Sequence, residues 1–206
     1  RMVLKYHQHG QILDVGAGTG EFLDVFKKDD WSKFCIEPST KLHPQLSEKG
    51  IELISHLNEL DEYSFEVITL WHSLEHIPNL EKTINQLRRI LKPDGVLFIA
   101  VPNHKSYDAQ YYKKYWAAWD VPRHLWHFSR KGLNSIFYNY GFNCIKETGM
   151  PFDAFYVSML SVHYKSQGNI LSAMFVGLMS NLKAVFNKEY SSILYVLKPL
   201  KAKNNA

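Results

Sequence analysis

Two cysteines in 206 residues leave this chain without the material for a disulfide framework. Cys35 and Cys144 fall in separate expected strands, where they read as buried thiols of a reducing compartment. Blocks of five or more like charges are absent, and a net charge of +4 is a mild basic bias that permits an anionic partner without demanding one, so nucleic acid is not the default expectation. No apolar run reaches the roughly 20 residues that a bilayer-spanning helix needs. The longest, 170–179, is bracketed by Lys165, Asn181 and Lys183. The cysteine usage leads to the expectation of a cytoplasmic location; no secretory leader pattern opens the chain, and the start at Arg1 rather than methionine leaves room for a preceding segment. Internal repeats and low-complexity stretches are lacking too. What remains, with 46% hydrophobic residues, is enough for one domain over 1–206 with a sizeable core.

Glycine is scarce, 11 in all, yet three alternate in Asp14-Val15-Gly16-Ala17-Gly18-Thr19-Gly20. An apolar strand that breaks into spaced glycines and resumes as a helix lets bare main chain approach a ligand, with helix N–H groups aimed at it. Glu37 closes the next apolar run, the place where a carboxylate accepts both hydroxyl hydrogens of a ribose. Position 21, where a dinucleotide fingerprint has its third small residue, is Glu. A carboxylate there repels a pyrophosphate and tolerates a cationic ligand.

Strands and helices alternate along the chain, as right-handed crossovers of a mainly parallel sheet require. Expected strands are 11–15, 33–37, 51–54, 65–71, 96–101, 143–148 and 191–198. Expected helices cover about 20–28, 39–49, 80–91 and 129–140, with a turn at Lys92-Pro93-Asp94-Gly95. Two segments stand outside this alternation. The loop 104–128 carries eight aromatic residues between Tyr107 and Phe128; it reads as a satellite core, a lid over ligands, or a surface for stacking on bases. The insertion 149–190 reads as a packed helix pair, a lid, a dimer contact or a membrane-facing patch.

His72, Glu75 and His76 have the H-x-x-E-H spacing of a zinc peptidase, but they follow a buried strand directly and meet Pro78, so no helix can present both histidines together. No metal is expected. Each histidine is also readable as a hydrogen-bonded structural group.

The glycine stretch resembles the first motif of class I S-adenosylmethionine-dependent methyltransferases. Residues 11–103 as a whole, with Leu74-Glu75-His76 after the fourth strand, resemble the quinone-pathway O-methyltransferases among them. Some of those enzymes carry an acid where this chain has His72 and use a divalent ion. Asp120-Val121-Pro122-Arg123-His124 and Phe128-Ser129 match a Pro-Arg-His-x-x-x-Phe-Ser subgroup. The resemblance implies an α/β, Rossmann-like, doubly wound seven-stranded sheet in the order 3-2-1-4-5-7-6, with strand 7 antiparallel and a helical insertion between strands 6 and 7. It implies S-adenosyl-L-methionine as cofactor, held by Asp14, Gly16, Ala17, Gly18, Gly20, Glu37, Pro38, His56, Trp71 and His72. On the acceptor side it points to Trp116, Trp119 and Arg123, with Arg123 alternatively paired to Asp120, and to His76, His124 and His127 as candidate bases.

The expected acceptor is a small or lipid-like molecule, methylated at a hydroxyl oxygen. Nucleic acid is not expected, since Leu70-Trp71-His72-Ser73 stands where amino-methylating enzymes carry an Asn/Asp-Pro-Pro-aromatic run. A cofactor-binding or scaffold protein without turnover and a nucleic-acid methyltransferase stay as alternatives. The expected assembly is a monomer or homodimer, with peripheral membrane contact through 170–186.

Overall fold

The computed structural model describes residues 2–27, 29–165 and 169–200. Strands β1 (Gly10–Val15), β2 (Trp31–Ile36), β3 (Glu52–Leu53), β4 (Phe65–Trp71), β5 (Leu91–Pro102), β6 (Phe142–Gly149) and β7 (Ser192–Pro199) form one sheet in the order β3-β2-β1-β4-β5-β7-β6. The first five run parallel, and β7 lies antiparallel between β5 and β6. This is the expected order and the expected sense of strand 7.

The central strands are apolar on both faces because both faces are covered. Along β5, Leu97, Ile99 and Val101 join the cluster under α3 (Leu80–Ile90), while Val96, Phe98 and Ala100 point through the pleat to the cluster on the other face. Helix α3 places Leu80, Ile84, Leu87 and Ile90 on one buried stripe, and each such side chain stabilises the fold by about 1.5–3 kcal/mol. Asn79 caps its start by accepting from the Lys82 N–H.

Boundaries moved where local packing overrode pattern. The helix expected over about 20–28 forms only as α1 (Glu21–Asp24), and Lys28 lies outside the described residues. The expected helix after Ser39 becomes a 3-10 turn, Thr40–Leu42, followed by α2 (His43–Glu48), with Pro44 in the first turn and no side-chain cap from Ser39. The turn at Lys92–Gly95 is an excursion inside β5: Leu91 pairs with Phe65 and pairing resumes at Val96 with Val67. Leu91 is buried beneath the end of α3, so the strand starts before the turn rather than after it.

The chain then forms α4 (Tyr107–Tyr112), α5 (Arg130–Asn139), α6 (Pro151–Lys165) and α7 (Ile170–Asn187). Ser129 caps α5 through the Gly132 N–H, and Gly141 follows it at φ 81°. The aromatic segment and the insertion pack on each other: Tyr112, Trp116, Ala117 and Ala118 share a third cluster with Val157 of α6 and Val176 of α7. Its polar centre is Asp108, fully buried, whose carboxylate accepts from Trp116 Nε1 at 2.7 Å, Ser180 Oγ at 2.7 Å and Ser191 Oγ at 2.8 Å. One carboxylate thus ties α4, α7 and the approach to β7 together, with three donors offsetting its desolvation.

Candidate active site

A cavity of about 960 Å³ opens at the carboxyl ends of β1, β2 and β4, where open α/β sheets hold their ligands. Gly16 (φ 83°) lies so close to Ser73 that a Cβ would stand 2.6 Å from the Ser73 Cβ. Gly18 differs: a Cβ built on it meets nothing within 4 Å, so the bare main chain at Gly18 borders open ligand space. Glu37 reaches across from the end of β2, accepting the Gly18 N–H on Oε2 at 2.7 Å and the Ser39 N–H on Oε1 at 2.8 Å. A carboxylate offers about four lone-pair sites, and these two bonds leave acceptor capacity for ribose hydroxyls.

Beneath the glycine turn, Asp14 accepts from Thr69 Oγ1 at 2.6 Å and is nearly inaccessible to solvent. Burial pushes its carboxyl up to about 7; the Thr69 bond opposes this and the nearby Glu37 charge adds to it.

A second cavity of about 320 Å³ adjoins the first, and His72 and His76 line both. His72 turns the chain out of β4 at φ 51°, a left-handed conformation that costs on the order of 1 kcal/mol. Its Nε2 lies 3.1 Å from Asp153 Oδ2 of α6 and its Nδ1 3.6 Å from Glu75 Oε1. Burial works against protonating this ring, but the bond to Asp153 and the charges of Glu75 and Asp153 prevail and raise it to about 9. His72 is therefore a cation at neutral pH, a strut between the end of β4 and α6.

His124 enters the second cavity from the segment after α4. Its Nδ1 lies 2.8 Å from the Ala118 carbonyl. A carbonyl only accepts, so Nδ1 carries the proton and Nε2 is a free lone pair. Burial chiefly pushes this ring below its ordinary value, against the Ala118 bond and the Glu75 charge. His124 Nε2 stands 4.0 Å from Glu75 Oε1 and 3.8 Å from Asp120 Oδ2. His76 is tied in the same way, Nδ1 to the Arg123 carbonyl at 3.0 Å, with its ring 4.7 Å from that of His124. Glu75 is the anomaly: 1% exposed, with neither carboxylate oxygen hydrogen-bonded. One ligand atom each from Glu75, His76 and His124 lie within 4.8 Å of one another.

Residues 1–147 match the family described as "Methyltransferase domain". The chain belongs to that family. S-adenosylmethionine is the cofactor that goes with this methyltransferase domain, and the fit is good on the structure's own terms: the gap at Gly18, the acid at Glu37 and a cavity within the roughly 300–1,000 Å³ range of small-molecule sites. The ubiquinone biosynthesis O-methyltransferase of Neisseria meningitidis serogroup A is 29% identical over 112 residues, covering 47% of this chain and 47% of that protein. The C-methyltransferase NovU of Streptomyces niveus is 24% identical over 150 residues, 65% of this chain and 33% of that protein. The methyltransferase domain thus spans about half the length of the curated relatives it matches first. A solved S-adenosylmethionine-dependent methyltransferase of Thermotoga maritima superposes with a TM-score of 0.66 at 18% identity, covering 97% of this chain and 86% of that one, which is agreement in fold.

Of the expected cofactor residues, Gly16, Gly18, Glu37, Pro38, His56 and His72 line the larger cavity. Four others do not. Asp14 sits behind the turn, Ala17 and Trp71 pack into the core cluster of the α1 face, and Gly20 is held where a Cβ would strike Leu46 and Ile51. Trp71 stacks on Phe22 with ring centres 5.0 Å apart.

The acceptor side needs larger corrections. Trp116, expected at the substrate, is 2% exposed with its indole N–H spent on Asp108. Trp119 packs on Trp116 and donates to the Lys113 carbonyl. His127 donates Nε2–H to the Trp119 carbonyl at 2.9 Å and lines neither cavity above. Only Arg123, His76 and His124 reach the second cavity, and Arg123 is the exposed partner of Asp120 at 2.8 Å. Asp153 and Tyr156 were missed, because only the docking of α6 brings them there. Ser55 and Asn58 were missed as well, although they flank His56 just past an expected strand end, the signal that would have found them.

Proposed function

We propose that this chain transfers a methyl group from S-adenosylmethionine to a hydroxyl oxygen of a small or amphiphilic acceptor seated in the second cavity. The observation that carries this reading is the junction of the two cavities at His72 and His76, with a free imidazole nitrogen of His124 on the acceptor side. When bound, the cofactor supplies an electrophilic methyl on a sulfonium.

The protein's part is alignment within about 3–3.5 Å and exclusion of water. The main chain at Gly16 and Gly18, with Glu37, holds the donor; the segment 117–124 and α6 enclose the acceptor. A hydroxyl needs a base, and His124 is suited to the role: neutral through burial, fixed in orientation by Ala118, with Nε2 free to take the proton. The imidazolium so formed at Nε2 faces Glu75 and Asp120, which stabilise it. Relatives bearing O- and C-methyltransferase names both fit a site with a base. Incubation with labelled cofactor and a fractionated extract tests the reading: label is expected in a lipid or small-metabolite fraction, and label confined to RNA defeats it. Calorimetry with the cofactor tests the donor half; no heat would leave only a scaffold.

A second reading rests on Glu75, whose buried oxygens accept no hydrogen bond and have the His72 ring only at 3.6 Å, beside nitrogens of His76 and His124. A divalent cation would satisfy them, and two imidazoles with one carboxylate suit such an ion. Activity lost on dialysis against a chelator and restored by a divalent metal would select this reading over the metal-free base.

A further inference from the structure

We propose that the outer face of the α6–α7 hairpin is a docking surface for an anionic phospholipid bilayer, on which the protein lies flat. Helix α7 has mean hydropathy 1.4 over 18 residues, yet only 28% of it is buried. Length and composition alone would let it cross a membrane, but its packing assigns it otherwise. Ala173, Gly177, Ser180 and Ala184 form a small-residue side pressed against the protein, so tightly that a Cβ on Gly177 would fall 2.7 Å from the Phe155 ring. Ser180 on that side is hydrogen-bonded to Asp108. A helix anchored along one whole side into a water-soluble sheet domain can present only its other side to lipid.

That other side is apolar. Leu171, Met174, Phe175, Leu178, Leu182 and Phe186 are all exposed, and at about 100° per residue they fall within an arc of about 120°. Phe186 is 88% exposed, Leu171 73% and Phe175 63%. The stripe is about 22 Å long, and exposed apolar surface on that scale marks a binding face.

Charge selects the occupant. Lys113, Lys114, Lys165 and Lys183 are exposed on or beside these helices. Among the described residues of 107–115, α6 and α7, the only carboxylates are Asp108, fully buried, and Asp153, turned onto His72. An apolar face bordered by lysines and free of exposed acids matches an anionic headgroup layer better than a second copy, which would bring the same lysines against these. On the proposed reading of the second cavity as the acceptor site, Tyr156, Leu160 and Tyr164 line it and are themselves exposed on α6.

The test is co-sedimentation of the full chain with vesicles of phosphatidylcholine, with and without phosphatidylglycerol. The expected result is binding to the phosphatidylglycerol vesicles, reduced at least about tenfold by Phe175→Glu/Phe186→Glu and separately by Leu171→Glu. Both variants alter exposed side chains, and an unchanged Tm confirms that each is folded. Failure of the wild-type chain to sediment overturns the proposal, as does equal binding to neutral vesicles. A lipid-free dimer that these variants dissociate also overturns it, since a second copy would then cover the face. Cofactor calorimetry on the same preparations keeps the two readings apart: vesicle binding without cofactor heat sinks the enzymatic reading alone, and cofactor heat without vesicle binding sinks this one alone.

Discussion

The donor half and the acceptor half of this protein are held together in different ways. In the donor half, from β1 to α3, the site residues are close in sequence and backbone does most of the work: Gly16, Gly18 and the tip of β2 with Glu37 lie within about two dozen residues, and each sits at the end of a strand. In the acceptor half the decisive contacts span long separations. His76 meets the Arg123 carbonyl 47 residues on, and Asp108 holds Ser191 at a separation of 83. A site of the first kind is robust because the sheet itself positions it; a site of the second kind depends on a few buried polar contacts holding the loop, the hairpin and β7 in register.

Removing the buried carboxylate should therefore break the acceptor half hardest. Asp108→Ala orphans three donors and is expected to cost about 3–5 kcal/mol of stability, read as a lowered denaturant midpoint; a loss under 1 kcal/mol would show that the two halves do not differ in this way. His124→Gln is expected to lower kcat by about 10²–10⁴-fold with cofactor affinity unchanged, measured once an acceptor is in hand. A parallel loss of cofactor binding would mean that the halves are not separable.

On the donor side, Glu37→Gln is expected to weaken cofactor binding about tenfold by calorimetry, about 1.4 kcal/mol, while the fold stays intact.

The smallest effect concerns pH. Asp14 ionises at about 7 in the folded chain against an ordinary 3.8, so the folded state prefers its neutral carboxyl. That contribution is complete below the ordinary value and is lost as pH rises through 7, a decline of about 1 kcal/mol between roughly pH 6 and pH 8 in the cofactor-free protein. The Asp14→Asn variant should lack this part of the slope; an unchanged slope would place its origin elsewhere.

The same division governs what could be read in advance. The parallel central strands and the glycine turn were legible because such strands must be apolar on both faces and because spaced glycines at a strand end have few other uses, while the strand order came with the family resemblance. Trp116 was misplaced for an equally physical reason: a tryptophan in a long loop is as well suited to a satellite core as to a substrate wall, and the decision lay with Asp108, distant Ser180 and the packing of Val157 and Val176. His127 and His124, three residues apart, differ in role only because each ring is turned to a different carbonyl. Glu75 looked like one member of a short motif, and its burial without a hydrogen bond came to light only beside the His72 and His124 rings.

Local pattern alone determined that this chain forms a doubly wound sheet with a nucleotide-type turn at the tip of its first strand, since alternation, periodicity and glycine spacing act over a few residues. Tertiary structure decided which aromatics are core, which imidazole has a free nitrogen, and that α7 buries small residues while leaving its large ones outside. Those outcomes depend on which surfaces meet after the chain closes, and burial is a property of the assembled whole rather than of any stretch of it.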